Sequence, residues 1–127
     1  MTQENKQLLL KDISARFPYK VFVKWKTATN PAIVKNIGDE KLIIYREYSD
    51  FAYAWECCIE DIKPYLRPMS SMTEEEKAEY YKTQEVILGV HMIKTLKSYD
   101  WLLTHHFDYR DLIEKGLALE APEGMYN

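Results

Sequence analysis

The densest run of side chains able to do chemistry is His105-His106-Phe107-Asp108-Tyr109-Arg110-Asp111. An imidazole beside a carboxylate is the pairing used in general acid–base catalysis. The same donors could hold a metal ion, which needs three or four ligands converging on one point. Adjacent residues on a helix point about 100° apart, so His105 and His106 do not easily serve one centre. There is no His-Glu-x-x-His spacing and no cysteine nearby, and His91 could join only through the fold. The competing reading is architectural. Asp108 caps a following helix, His106 sits near the end of the preceding one, where a cation is favoured, and Phe107 packs inward. The expectation is no catalytic, cofactor-binding or metal set and no cofactor, with His105, His106 and Asp108 as the positions to test for an enzyme or metal protein.

Other reactive types are isolated. Cys57 and Cys58 are adjacent, so they make no disulfide framework, and on a strand one of them faces the core as a small hydrophobe. Ser70-Ser71 lacks the glycines of a nucleophile elbow and fits a turn. The four glycines, Gly38, Gly89, Gly116 and Gly124, are dispersed, so neither a P-loop nor a dinucleotide fingerprint can be written.

A second constellation lies at Lys20, Phe22, Lys24 and Lys26. Sheets that bind single-stranded nucleic acid present aromatic rings flanked by cations. On a regular strand Val21, Val23 and Trp25 take the opposite face, so only Phe22 shares the lysines' side. The commoner outcome is a solvated face with snorkelling lysines. Nucleic-acid binding through these four residues is thus the alternative function.

The elements that must position these groups follow from periodicity. Thr2 caps a helix over 3–16 whose apolar side is Leu8, Leu9, Ile13 and Phe17, stopped by Pro18. Residues 19–26 alternate as a strand. Thr29-Asn30-Pro31 is a turn, 32–37 a second strand, Gly38-Asp39-Glu40 a tight connection, 41–48 a third strand, Ser49-Asp50 a break and 51–59 a fourth strand. Residues 59–65 read as a helical turn ended near Pro64, and 67–72 as an irregular connector. Thr73 with Glu76 forms a capping box for a helix through Lys82. Val86, Val90, Ile93 and Leu96 line a helical stripe over 85–97, weakened at Gly89. Ser98 caps a short helix over 99–105, and Asp108 caps another over 109–115, closed by Gly116 in the left-handed conformation. Residues 120–127 read as an extended tail, ordered only if Met125 and Tyr126 dock.

Blocks 61–76 and 100–126, with Leu8-Leu9-Leu10-Lys11-Asp12, resemble an uncharacterised family of small proteins of gut Bacteroidetes and their phages or mobile elements. Residues 83–98 depart from its pattern. The resemblance implies a cytoplasmic, phage-linked origin and supplies no site.

Composition bounds the rest. With 127 residues, 46% apolar, the chain is one domain's worth of globular sequence. Net charge is −3, but residues 1–38 hold seven basic and two acidic side chains, and residues 73–127 hold six and eleven. No signal-peptide pattern or apolar run of membrane-spanning length is present, so a cytoplasmic protein with no membrane partner is expected. Of ten Tyr, four Phe and three Trp most are expected in the core or half-buried, but an excess of Tyr with Trp is also what interfaces use, and Tyr53, Trp55 and Tyr126 are the positions to inspect for an exposed patch. The expected fold is a single α+β domain: an antiparallel meander of about four strands with an N-terminal helix and a C-terminal helical region. Trp25, Val21, Val23, Leu42, Ile44, Trp55, Leu102 and Leu112 are its expected core. The expected function is a non-catalytic protein-interaction or accessory module, its partner another protein or a second copy of itself.

Overall fold

A computed structural model describes the backbone of residues 1–26, 28, 30–38, 41–48, 51–87, 89 and 91–126, and all of their side chains except those of 46–48, 51–53, 87 and 91. The expected connections at Gly38-Asp39-Glu40 and Ser49-Asp50, the turn position Thr29, the stripe position Val90 and the side chains of Tyr53 and His91 lie outside it.

The fold is α+β. Helix α1 (Gln3–Arg16) begins where the Thr2 hydroxyl accepts the Asn5 N–H. A 3-10 turn at Phe17–Tyr19 follows, and Lys20 takes a left-handed conformation (φ 63°). Strands β1 (Phe22–Trp25), β2 (Ala32–Ile37), β3 (Lys41–Tyr48) and β4 (Phe51–Cys58) form the expected antiparallel meander. Strand β5 (Ile62–Pro68) then pairs antiparallel with the free edge of β1, Lys24 opposite Lys63. This strand corrects the helical turn expected over 59–65. Only Ile59–Asp61 make a 3-10 turn, and Ile62, Pro64 and Leu66 then alternate inward. Pro64 is tolerated because its missing N–H falls at a residue that does not donate to β1.

After a 3-10 turn at Met69–Ser71, helix α2 (Glu74–Lys82) starts with both bonds of the Thr73–Glu76 capping box. The helix expected over 85–97 is absent. Strands β6 (Glu85–Ile87) and β7 (His91–Ile93) pair as a separate antiparallel hairpin. Gly89 has φ +73°, which reverses the chain, and β-branched Val86, Ile87 and Ile93 suit strands. Helix α3 (Leu96–Thr104) is capped by Thr95 and not by Ser98, which occupies the third helical position and returns a hydrogen bond to the Thr95 N–H. The Thr95 and Ser98 hydroxyls both donate to the Thr83 carbonyl, at 2.7 and 3.0 Å, clamping the base of the hairpin.

Strand β8 (Phe107–Asp108) runs parallel to the end of β5, and β9 (Leu119–Glu120) runs parallel to its middle. Asp108 accepts the N–H groups of Leu112 and Ile113, yet turns replace the helix expected over 109–115, because Asp111 adopts φ 57°. Gly116 is left-handed as expected.

The inner sheet face carries Val21, Val23, Ala32, Val34, Leu42, Ile44, Cys57, Ile62 and Leu66, packed with Leu9 and Ile13 of α1 and with Leu112, Leu117 and Ala118. Of the expected core, Trp25 and Trp55 are half-buried and pack edge-on at 5.2 Å, while Leu102 joins a smaller cluster with Met72 and Phe107. Helix α1 turns Leu9 and Ile13 inward with Leu8 packed beside them, as its apolar periodicity suggested. Of that expected side only Phe17 is exposed, and Asp12 and Arg16 are completely buried alongside Leu9 and Ile13. Arg16 Nε lies 2.7 Å from Asp12 Oδ2, and Arg16 Nη2 donates to the Phe107 carbonyl at 2.7 Å. Arg110 Nε approaches the same carboxylate at 3.7 Å. Removing Asp12 leaves cationic guanidiniums in the interior with nothing to neutralise them. Asp12→Ala should therefore destabilise the fold by about 3–5 kcal/mol, read from the urea midpoint.

Candidate functional site

The two adjacent imidazoles leave the backbone for different neighbourhoods. His105 places Nδ1 2.8 Å from the Trp101 carbonyl, and its ring stacks on Trp101 at 4.0 Å. His106 is left-handed (φ 62°), buried, and stacked on Tyr126 at 3.6 Å. Asp108 spends both carboxylate oxygens on backbone N–H groups, at 2.9 and 3.0 Å. The structure does not bring His105, His106 and Asp108 to one point. Among the described residues no three His, Cys, Asp or Glu side chains are grouped so as to hold a metal.

His106 is shaped by its surroundings. Burial, then the positive charge of Arg16, with His105 and Arg67 beyond, lowers its pKa from 6.5 to about 4. The ring is neutral at pH 7, which lets it lie flat against a phenol. Its Nδ1 has no hydrogen-bond partner. The Tyr126 hydroxyl accepts the Phe22 N–H at 3.0 Å and donates to the Tyr65 carbonyl at 2.7 Å. Continuing the register past Val23↔Pro64 sets Phe22 opposite Tyr65. The hydroxyl therefore sits where the next rung of the β1–β5 ladder would be. Burial raises the pKa of this phenol well above the usual value. The C-terminal tail is thus pinned by one side chain whose ring also packs on Phe22 at 5.4 Å.

The other reactive types are plainly placed. Cys57 is buried, and burial followed by the Asp61 charge pushes its thiol up to about 11, so the nucleophilic thiolate is suppressed. Ser71 donates to the Pro68 carbonyl within a 3-10 turn, and Ser70 is exposed beside it.

Two surfaces stand out instead. The first is the outer face of the main sheet. Alternation along each strand sends Phe22 and Lys24 of β1 outward, with Ile33 of β2, Ile43 and Tyr45 of β3, and Lys63 and Tyr65 of β5. Trp25 faces the core side, as its spacing required. The Lys20 ammonium lies 6.0 Å from the Phe22 ring centre, and that of Lys26 lies 5.0 Å from the Trp25 ring. The second surface is the hairpin arm. Tyr81, Val86, Ile93, Leu96 and Tyr99 are all exposed, Leu96 at 83%.

No family model, curated protein or solved structure matches this chain.

Sequence reasoning missed Lys63 and Tyr65 because it gave their segment to a helical turn. The signal was present, as Ile62, Pro64 and Leu66 alternate with Lys63, Tyr65 and Arg67. Tyr45 was assigned to its strand, but its cross-strand alignment through Ile33 to Phe22 depends on register.

Two measurements test this corner. Between pH 6.5 and about 4 the unfolded chain protonates its imidazole and the folded chain does not, so stability falls as the pH drops through that window. His106→Asn, which tolerates the left-handed backbone, should flatten that slope in urea midpoints taken against pH. Tyr126→Phe deprives Phe22 N–H and Tyr65 C=O of their bridge and should cost about 1–3 kcal/mol by the same assay.

Proposed function

We propose that the chain is a non-catalytic interaction protein that pairs with a second copy of itself through the hairpin arm. The observation that carries this reading is the concentration of exposed apolar side chains. Among the described residues, five of eight exposed large hydrophobics fall between Tyr81 and Tyr99.

Both faces of the hairpin are wet. The register puts Val86 beside Met92 on one face and Ile93 beside Glu85 on the other, and Val86 and Ile93 are 57% and 38% exposed. A two-stranded hairpin with three residues per strand is below the size that holds in water unaided. The Thr83–Thr95–Ser98 clamp fixes its base, and nothing described joins its edges to the main sheet. Edge pairing with a twin makes a four-stranded sheet and buries Leu96 and Tyr99, one helical turn apart, against the same partner. Charge does not oppose the pairing. Residues 81–100 carry Lys82, Lys94 and Lys97 against Glu85 and Asp100.

A cofactor plays no part in this reading. No helix among the described residues is long and apolar enough to cross a membrane. A cytoplasmic, phage-linked accessory role is the setting that the resemblance of the three sequence blocks supports.

Analytical ultracentrifugation tests the proposal. The wild type should sediment as a dimer at tens of micromolar, and Val86→Asp with Leu96→Asp should sediment as a monomer with an unchanged circular dichroism spectrum. A wild type monomeric up to about 200 µM would lack even the roughly 1,000 Å² that a specific interface buries, and would overturn it.

A further inference from the structure

The outer sheet face supports a second inference, independent of the arm. Strand pairing aligns Tyr65, Phe22, Ile33, Tyr45 and Ala54 in one row across five strands. Helix α1 and the apolar core occupy the other face. Strands lie about 4.8 Å apart, so the three rings of the row span about 14 Å, enough for two or three splayed bases.

The cations beside this row are arranged in a way that folding alone does not favour. Lys24 and Lys63 are direct cross-strand partners on the same face, and like charges so placed repel. Among the described residues, none of Lys20, Lys24, Lys26 and Lys63 has a carboxylate within ion-pair distance. Lys24, Lys26 and Lys63 line one hollow of about 260 Å³ with Glu60, Asp61 and Leu119. Glu60 is engaged by Lys6 at 3.0 Å, and Glu56, which lines an adjoining hollow with Lys26 and Asp61, is engaged by Lys41 at 3.0 Å. The hollow is therefore left with three ammonium groups against one uncommitted carboxylate, Asp61.

We propose that this face binds single-stranded nucleic acid. Bases stack on Tyr65 and Tyr45, with Phe22, packed on one side by Tyr126, between them, and the backbone phosphates follow Lys20, Lys24, Lys63 and Lys26. An acidic polypeptide would meet the lysines but would make no use of flat rings in a row. A duplex would meet the phosphate sites but keep its bases stacked away from the rings. The net charge of −3 does not oppose binding at this range, because ionic screening near 0.15 M confines the effective field to about 8 Å around the lysines.

The experiment is fluorescence anisotropy of a labelled twelve-nucleotide oligothymidylate, with the matching duplex and polyglutamate as competitors. The wild type should bind in the micromolar range at about 20 mM salt. Three or four neutralised phosphates should give a log–log salt slope of about −2 to −3. Tyr45→Leu with Tyr65→Leu should weaken binding at least about tenfold, the loss of one to two stacked bases. Lys24→Gln with Lys63→Gln should weaken it to a similar degree and reduce the slope by about one to two, while leaving the melting temperature the same or higher, since the change relieves repulsion. That last pair keeps the test decisive if the tyrosine variant fails to fold. Absence of binding at low salt, equal competition by duplex or polyglutamate, or wild-type affinity in the lysine variant would each overturn the proposal. Because the arm is untouched, monomeric and dimeric wild type serve the test equally.

Discussion

The fold turns on a charge pair placed where a core is normally apolar. Asp12 and Arg16 lie one turn apart on α1, and both are fully buried. Desolvating them is unfavourable, and the structure offsets this with a bidentate contact and a bond from Arg16 to the Phe107 carbonyl. That bond ties the first helix to the last part of the sheet, 91 residues on. The consequences spread outward. Helix α1 buries the pair on the same side as Leu9 and Ile13, and Phe17 just past its end is exposed. Burial first, and then the Arg16 charge, favour the neutral form of His106, whose ring stacks on Tyr126. Tyr126 then completes the β1–β5 edge with its hydroxyl. His106 thus packs against Tyr126 in its uncharged form, favoured by burial and secondarily by Arg16.

A parallel arrangement joins β5 to α2. Arg67 makes two 2.7 Å bonds to Glu76, lowering that carboxyl to about 2, and lies 4.2 Å from the Phe107 ring centre. Glu76 also completes the capping box. One side chain therefore starts the helix and anchors it to the sheet. Two surfaces of the molecule contrast in composition. The outer sheet face is aromatic and cationic, whereas the arm is apolar and nearly neutral.

Local signals were legible wherever the deciding interaction spans only a few residues. The Thr2 and Thr73 caps, the 3–16 helix, the three strands over 32–58, left-handed Gly116 and the inward face of Val21, Val23 and Trp25 all depend on neighbours within a turn or a pleat, and all could be read from residue type and spacing. The errors fall where two local patterns competed. Residues 85–97 satisfy helical spacing on paper, but Gly89 and the β-branched residues around it favour a reversal into a hairpin. Residues 62–68 carry strand alternation that Pro64 disguised, since its missing N–H matters only on the side facing a partner strand.

Composition and pattern alone therefore determined the α+β class, the meander, most of the core and the scarcity of phosphate-loop glycines. Tertiary structure decided which charges are interior, that Lys24 faces Lys63, that three rings fall in one row, and that two adjacent histidines part company. Each of these depends on strand register or helix rotation, and both are set by contacts between residues tens of positions apart in the chain.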